Sequence, residues 1–475
     1  MMVVGDISTG TDLAVIGAGP GGYAAALRAA QLDVDVTLIE KDAVGGVCLN
    51  YGCIPSKALI SATDVAYEAA TAEDRGVYAS PSVDMAEMVD WKDGVVDQLT
   101  DGVRRLCEST GVHVVEGRAE FADEHTLRVA HGGEGQGSES FEFEHAIVAT
   151  GSRPVELPGF AFDGEHVIDS RAALELTEIP DDVVVVGAGY IGMELSTVLA
   201  KLGTDVTVVE MLDEALPGFP TDVSRPVQER AEALGVEFVF GEAASEWTET
   251  DEGITVVTED ADGEESEFYT EKALVAVGRQ PVTDSLNLSA VGLETDDDGF
   301  LETDHQCRTA VDHVFAIGDV SGEPMLAHAA SHEGEVAAEV VAGEPAALDQ
   351  QAVPAAVFTD PEVGVVGLTR AEAEAEGFDP VVGRFPFAAN GRALTTGDTD
   401  GFVRIVADED SGFVLGGQAV GPEASELIAE IGLAVEMGAT LEDVAATVHT
   451  HPTLSEATME AAKHALGEAI HIRNR

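Results

Sequence analysis

Asp12-Leu13-Ala14-Val15-Ile16-Gly17-Ala18-Gly19-Pro20-Gly21-Gly22 recurs 170 residues later as Asp182-Val183-Val184-Val185-Val186-Gly187-Ala188-Gly189-Tyr190-Ile191-Gly192. In each copy an apolar run, suited to a strand buried on both faces, leads into GxGxxG, a helix-like stretch and a second strand that ends in an acid. Those acids, Glu40 and Glu210, each stand 23 residues after the first glycine of their copy, where a carboxylate hydrogen-bonds the hydroxyl pair of a ribose. The glycines divide the work. Gly17 and Gly187 make the tight turn, Gly19 and Gly189 let backbone meet a pyrophosphate at the helix amino terminus, and Gly22 and Gly192 permit close helix packing. A lone GxGxxG is a weak signal. Strand, glycines, helix and acid appearing together twice predict an α/β chain with two Rossmann-like dinucleotide-binding domains.

The segments just downstream distinguish the two copies. The first leads into Gly45-Gly46-Val47-Cys48-Leu49-Asn50-Tyr51-Gly52-Cys53-Ile54-Pro55-Ser56-Lys57. Two thiols separated by four residues can close into a small ring and reopen, storing two electrons as dithiol or disulfide. The glycines let backbone approach something flat, Pro55 stiffens the far side, and Lys57 puts a cation near a thiolate. The ligand of the first copy must therefore trade electrons with the cysteine pair, which points to FAD. The second copy runs into Glu210-Met211-Leu212-Asp213-Glu214, with no cation to hold a ribose phosphate, so NAD is favoured over NADP. Cys107 and Cys307 lack such surroundings and read as inert core thiols.

Composition narrows the classes. A chain of 475 residues, 45% of them apolar, is too long for one core and suggests about three full-sized domains. The formal charge is −65, with six lysines and eighteen arginines, and its acids are scattered through periodic apolar segments rather than gathered in a tail. Such a surface repels nucleic acid and anionic membrane. It resembles the acidic surfaces of proteins from salt-loving organisms and predicts salt-dependent stability. No apolar stretch reaches spanning length, and Met1 to Thr11 lacks a basic leader pattern. A soluble, unexported, cytoplasmic protein is expected, since four cysteines cannot staple three secreted domains.

Further motifs stand in order along the chain: Ala149-Thr150-Gly151-Ser152-Arg153-Pro154, Val277-Gly278-Arg279-Gln280-Pro281, Ala316-Ile317-Gly318-Asp319-Val320, Met325-Leu326-Ala327-His328 and His449-Thr450-His451-Pro452-Thr453-Leu454-Ser455-Glu456. With the fingerprints and the cysteine segment, they make the whole chain resemble the pyridine nucleotide-disulfide oxidoreductases, most closely the lipoamide-dependent members. The resemblance implies Cys48 as the thiol that exchanges with substrate and Cys53 as the one facing the flavin. It implies His451 as the base, with Glu456 orienting its ring, and His449 as a supporting residue. For FAD it implies Asp319 at the ribityl and phosphate region, Met325, Leu326, Ala327 and His328 along the isoalloxazine, Thr150, Gly151 and Ser152 closing over the cofactor, backbone at Ala119, and Lys57 beside the flavin. For NAD it implies Glu194 near the nicotinamide, Gly278, and Ala244 as a weaker backbone candidate. No metal is implied: His449 and His451 are two apart, but no third ligand group accompanies them.

The resemblance further implies FAD-domain segments at 1–154 and 282–345, an NAD domain at 155–281, and an α+β carboxyl-terminal dimerisation domain at 346–475. In the family that last domain makes a homodimer in which the histidine reaches the opposite subunit's disulfide. The implied reaction oxidises a dihydrolipoyl group, on a lipoyl-bearing protein or as free lipoamide, with NAD as acceptor. A 2-oxoacid dehydrogenase or glycine-cleavage complex is the setting that such a substrate suggests. Glutathione-type reductases prefer NADP, and mercuric-type ones use a terminal thiol pair, whereas no cysteine stands beyond Cys307. A non-catalytic flavoprotein subunit is the rival from another class. Val47 and Tyr51 depart from the Thr and Val common in the family and put fine control of the flavin potential in doubt, not the chemistry.

Overall fold

The computed structural model describes residues 8–132, 137–251 and 253–474. The leader reading at Met1 to Thr11 therefore lies outside the described residues as far as position 7. Two parallel nucleotide-binding cores are present. In the first, strand Ser8–Ile16 lies between Val36–Glu40 and Ser138–Val148, with His113–Glu116 beyond Val36–Glu40 and Val314–Ala316 also against Ser138–Val148, all parallel. Strands Arg118–Asp123 and Thr126–Ala130 extend the sheet antiparallel. In the second, the order is Glu237–Phe240, Asp205–Glu210, Asp182–Val186, Lys272–Val275 and Val167–Ile168. Helices Pro20–Gln31 and Tyr190–Leu202 come directly after the two central strands. Parallel strands buried on both faces need continuous apolar runs, and Leu13 to Val15 and Val183 to Val186 supply them, all nearly inaccessible.

The chain crosses between these sheets through an antiparallel ribbon, Ser152–Pro154 against Arg279–Pro281. A separate three-stranded antiparallel sheet, Glu242–Thr250, Gly253–Asp260 and Glu265–Thr270, caps the second unit. The carboxyl-terminal unit is a five-stranded antiparallel sheet in the order 355–357, 363–367, 414–420, 402–408, 380–386, with helices Ala424–Glu436 and Glu456–Leu466 packed on it. The expected α+β character of that unit is what the chain adopts. Cys107 and Cys307 are buried in the first core. Among the described residues no helix is long and apolar enough to cross a membrane.

Several of the few cations in this acidic chain are placed at joints between units. Lys201, on the second fingerprint helix, reaches Asp64 Oδ1 at 2.6 Å and Asp360 Oδ2 at 2.9 Å, and Arg230 meets the same Asp360 at 3.0 Å. Asp64 lies on helix Cys53–Thr71 and Asp360 in the carboxyl-terminal unit, so one ammonium ties three units together. Burial works against the charge on Lys201, but Asp360 and Asp64 outweigh it and hold the ammonium above its ordinary range. Arg404 also pairs with Asp222 across units.

Candidate active site

The two fingerprints share one geometry. Gly17 N–H donates to Ile39 O and Gly187 N–H to Val209 O, both at 2.8 Å. Gly17 and Gly187 adopt φ +102 and +104, which only glycine takes without strain, and a Cβ on either would collide with carbonyl oxygens of Ala149 or Ala276. A Cβ on Gly22 or Gly192 would come within 1.9 or 2.1 Å of the oxygen of the first glycine. Nothing lies within 4 Å of that position on Gly19 or Gly189. Those two open backbones at helix amino termini are where a pyrophosphate fits.

Glu40 and Glu210 are both buried, and each uses its two oxygens in the same way. Glu40 accepts from Ala18 N–H at 2.7 Å and Asp42 N–H at 2.8 Å; Glu210 accepts from Ala188 N–H at 2.8 Å and Leu212 N–H at 2.9 Å. These acids therefore brace their own glycine loops, and their remaining lone pairs are what a ribose would use.

The cysteines are set by consecutive helices. Gly45 at φ +103 opens helix Gly46–Tyr51, and Gly52 separates it from Cys53–Thr71, so Cys48 lies in a short helix and Cys53 opens the longer one that follows. Asn50 braces the first helix through Val44 O and Gly46 O. Both cysteines are free thiols here. The Cys48 thiol donates to the Cys53 sulfur, and this bond, helped by Lys57 and opposed by burial, lowers Cys53 to about 7. The same bond, with burial, pushes Cys48 far up. The two thiols therefore titrate as a pair, with the hydrogen bond and Lys57 both favouring the thiolate at Cys53.

Both cysteines open into a cleft of about 560 Å³ that receives residues from both nucleotide-binding units. Of the residues expected to hold FAD, Gly17, Gly19, Glu40, Lys57, Ala119, Thr150, Gly151, Ser152, Asp319, Met325 and Ala327 line it. Gly22 instead packs its helix on the strand, and His328 turns outward to Pro354 O at 2.6 Å, so neither it nor Leu326 is among the lining residues. Of Met325 to His328, Met325 and Ala327 line the cleft; a helix begins at Ala327.

The resemblance implies Glu194 near the nicotinamide and Lys57 near the flavin; the structure joins the two side chains. Lys57 Nζ is 2.7 Å from Glu194 Oε2, while Glu194 Oε1 accepts from Phe358 N–H at 2.8 Å and the ammonium stands 4.5 Å from the Phe358 ring centre. Gly187, Gly189, Gly192, Glu210 and Gly278 lie outside the cleft, on the second unit; Gly278 has open space where a Cβ would stand. Ala244 falls at a bulge of the three-stranded sheet with its side chain packed into that unit's core.

His451 and Glu456 are together but not in the cleft. His451 Nδ1 is 3.0 Å from Glu456 Oε1, and Thr453 N–H donates to Glu456 Oε2 at 2.9 Å. Burial would raise the Glu456 carboxyl, but these two bonds hold it below its usual range, so it is an anionic partner for the ring. The His451 side chain is 77% exposed, whereas that of His449 is 6% exposed and tied to Glu430 at 2.8 Å. Among the described residues no group of side chains could hold a metal ion.

Sequence reading passed over several cleft residues. Tyr190, burial-raised to about 12, and Arg279, which donates to Ser152 Oγ at 2.7 Å, both line it. The departure at Tyr51 has a local explanation: the Arg171 guanidinium lies 3.5 Å from its ring centre and pairs with Asp42 at 3.6 Å. Arg279 stood inside a quoted motif and could have been found there. Tyr51 and Arg171 are too far apart in sequence for any pattern to join them.

A dithiol held in a cleft between two dinucleotide-binding units defines a nucleotide-linked disulfide oxidoreductase, and the chain belongs to the pyridine nucleotide-disulphide oxidoreductases: that family's profile matches residues 11–334 and its dimerisation domain residues 353–462. The chain is 72% identical over 474 residues, covering all of both chains, to a dihydrolipoyl dehydrogenase of Halobacterium salinarum. It is 49% identical over 472 residues, covering 99% of each, to the dihydrolipoyl dehydrogenase of Geobacillus stearothermophilus. Among solved structures, LpdA from Mycobacterium tuberculosis superposes with a TM-score of 0.89 at 30% identity, covering 95% of this chain and 99% of that one. The dimerisation domain supports a homodimer.

The polarity of the thiol pair is directly measurable. In the reduced protein, thiolate absorbance in the ultraviolet should rise with a midpoint near pH 7, and Cys53→Ser should remove that transition. A folded pKa below the ordinary thiol value means the ionised form contributes stability above that ordinary value and loses it as pH falls through about 7. A single transition near pH 8.5, roughly the ordinary thiol value, would refute the assignment.

Proposed function

We propose that the protein oxidises dihydrolipoamide to lipoamide with NAD as acceptor, through Cys48, Cys53 and a bound FAD. The observation that carries the reading is the polarised thiol pair opening into the cleft beside the first fingerprint. The relatives' names supply the substrate. Gly17, Gly19, Glu40 and Asp319 would hold FAD, and Gly187, Gly189, Glu210 and Gly278 would hold NAD. Held there, FAD would supply the two-electron relay between the reduced thiols and NAD.

The remaining steps belong to the chain. His451, oriented by Glu456, takes a proton from one dihydrolipoyl thiol. The resulting thiolate attacks Cys48 Sγ, the Cys48–Cys53 bond breaks, and Cys53 leaves as thiolate. The second substrate thiol, deprotonated in turn, attacks the substrate sulfur of the mixed disulfide. Lipoamide departs oxidised, and both cysteines are left reduced. Lys57 stabilises the Cys53 charge and Glu194 holds Lys57 in place. His451 is far too exposed for a base that must exclude water, which supports its service to the partner subunit of a homodimer.

Domain limits at 154, 281 and 345 fit the ribbon that joins Ser152–Pro154 to Arg279–Pro281 and the end of helix Ala327–Val341. The substrate is a lipoyl-bearing protein or free lipoamide, a 2-oxoacid dehydrogenase or glycine-cleavage complex is the fitting partner, and the cytoplasm is the fitting compartment for a catalytic thiol pair. Purified protein in high salt should show a flavin spectrum, bleach with dihydrolipoamide, and reduce NAD far faster than NADP. Turnover with glutathione but not lipoamide would overturn the substrate assignment.

A further inference from the structure

Behind the Gly318-Asp319 turn stands a half-buried carboxylate that none of these steps uses. Glu333 lies on helix Ala327–Val341, and its Oε2 accepts a hydrogen bond from Gly318 N–H at 2.6 Å. We propose that Glu333 is a positioning residue for FAD: it fixes the peptide entering Gly318 and so aims the Asp319 carboxylate into the cleft. The inference rests on the assignment of FAD to this cleft.

The turn is pressed onto the helix that bears Glu333. Gly318 adopts φ +70, and a Cβ there would stand 3.0 Å from the Ala330 side chain, one turn before Glu333. The helix itself cannot slide, because it meets the first fingerprint helix backbone to backbone: a Cβ on Gly334 would come within 2.4 Å of Gly21 O, and one on Gly21 within 2.9 Å of Ala330 O. Glu333 is therefore referenced to the same glycine-rich helix that would face the pyrophosphate. On the cleft side, the Ser152 hydroxyl donates to Asp319 Oδ2 and accepts from Arg279 Nε at 2.7 Å. Asp319 is thus held through its carboxylate by Ser152 and through the preceding peptide by Glu333.

Placing this acid here is unfavourable in itself. Burial pushes the Glu333 carboxyl above its ordinary range, and neighbouring Asp319 adds to that push, while the Gly318 N–H favours the ionised form. The charge-assisted bond from the Gly318 N–H gives the position a purpose.

Glu333→Ala removes the acceptor; Glu333→Gln keeps an oxygen in reach; Glu333→Asp keeps the charge on a shorter arm. Holoenzyme of each is diluted into FAD-free, high-salt buffer, and flavin release is followed by fluorescence. Glu333→Ala should release FAD about 10- to 100-fold faster than the parent protein, because the Gly318 N–H loses its acceptor and the Asp319 turn its anchor. Glu333→Gln should stay within about threefold, because it still accepts from Gly318. The flavin absorption maximum should shift in Glu333→Ala and return in Glu333→Gln, a signature that general loosening would not restore. Unchanged release from Glu333→Ala, or equal losses in Ala and Gln variants, overturns the proposal. Should Glu333→Ala fail to fold, Glu333→Asp carries the test, and release at the parent rate overturns it. A parent protein that takes up no FAD is a different result, and it overturns the assignment of the cleft instead.

Discussion

Cys48→Ser protein is expected to keep its flavin and lose lipoamide turnover by at least about 10³-fold, because a serine hydroxyl can neither form nor break the disulfide through which the electron pair must pass. The substitution removes one sulfur and adds no bulk, so the fold around helix Gly46–Tyr51 should survive. Cys53 should also change. Its low value depends first on the hydrogen bond donated by Cys48, and a serine donor in its place should keep Cys53 nearer neutral than an alanine would. Stopped-flow reduction by dihydrolipoamide and steady-state NAD reduction would read the loss, and substantial residual turnover would sink the disulfide route. The same variant tests the shared site. Mixed dimers of Cys48→Ser and His451→Ala subunits should recover activity, since one of their two sites would hold both intact groups. Verified mixed dimers without recovery would place His451 in its own subunit's reaction or outside it.

Lys201→Met is expected to destabilise the protein by about 1 to 3 kcal/mol, less than for a fully buried ion pair because the Asp64 and Asp360 carboxylates stay partly solvated. Methionine can follow the path of the lysine stem, so packing is largely kept and the lost charge dominates. Asp64 and Asp360 would face each other without the ammonium between them; Arg230 still serves Asp360, which sets the loss at the lower end of the range. The ammonium is nearly enclosed, with 7% of the Lys201 side chain exposed, but the Asp64 and Asp360 side chains are 39% and 30% exposed, so salt should screen the junction in part. By contrast Arg370→Met breaks an exposed helical pair with Glu374 and should alter stability by about 0.5 kcal/mol or less. Melting temperatures of both variants in molar salt would show the difference. Equal shifts would mean that the three-unit junction adds nothing beyond an ordinary surface pair. The active site should feel Lys201→Met as well, since the second fingerprint helix carries both Lys201 and Glu194.

Much of the site was legible because it is written locally. A glycine fingerprint encodes its own turn: Gly17 and Gly187 must take positive φ, Gly22 and Gly192 must let the helix touch the strand, and acids 23 residues on return to brace the loops. The cysteine segment likewise needs only its own two helices to bring its thiols together. Other pairings run between distant positions. Lys57 with Glu194, Arg171 with Tyr51, Ser152 with Arg279 and Asp319, and Gly318 with Glu333 join groups whose spacing obeys no helical or strand period. The contact of His328 with Pro354 O likewise joins positions that no local pattern connects.

By itself the sequence determined that two dinucleotide-binding units flank a redox-capable thiol pair on a strongly acidic chain, because strand, turn and cysteine spacing are set by neighbours along the backbone. Only the tertiary structure decided which lysine meets which acid and where the cations of a −65 chain are placed. Those outcomes depend on burial and on distances between units, and both arise only when the three units close on one another.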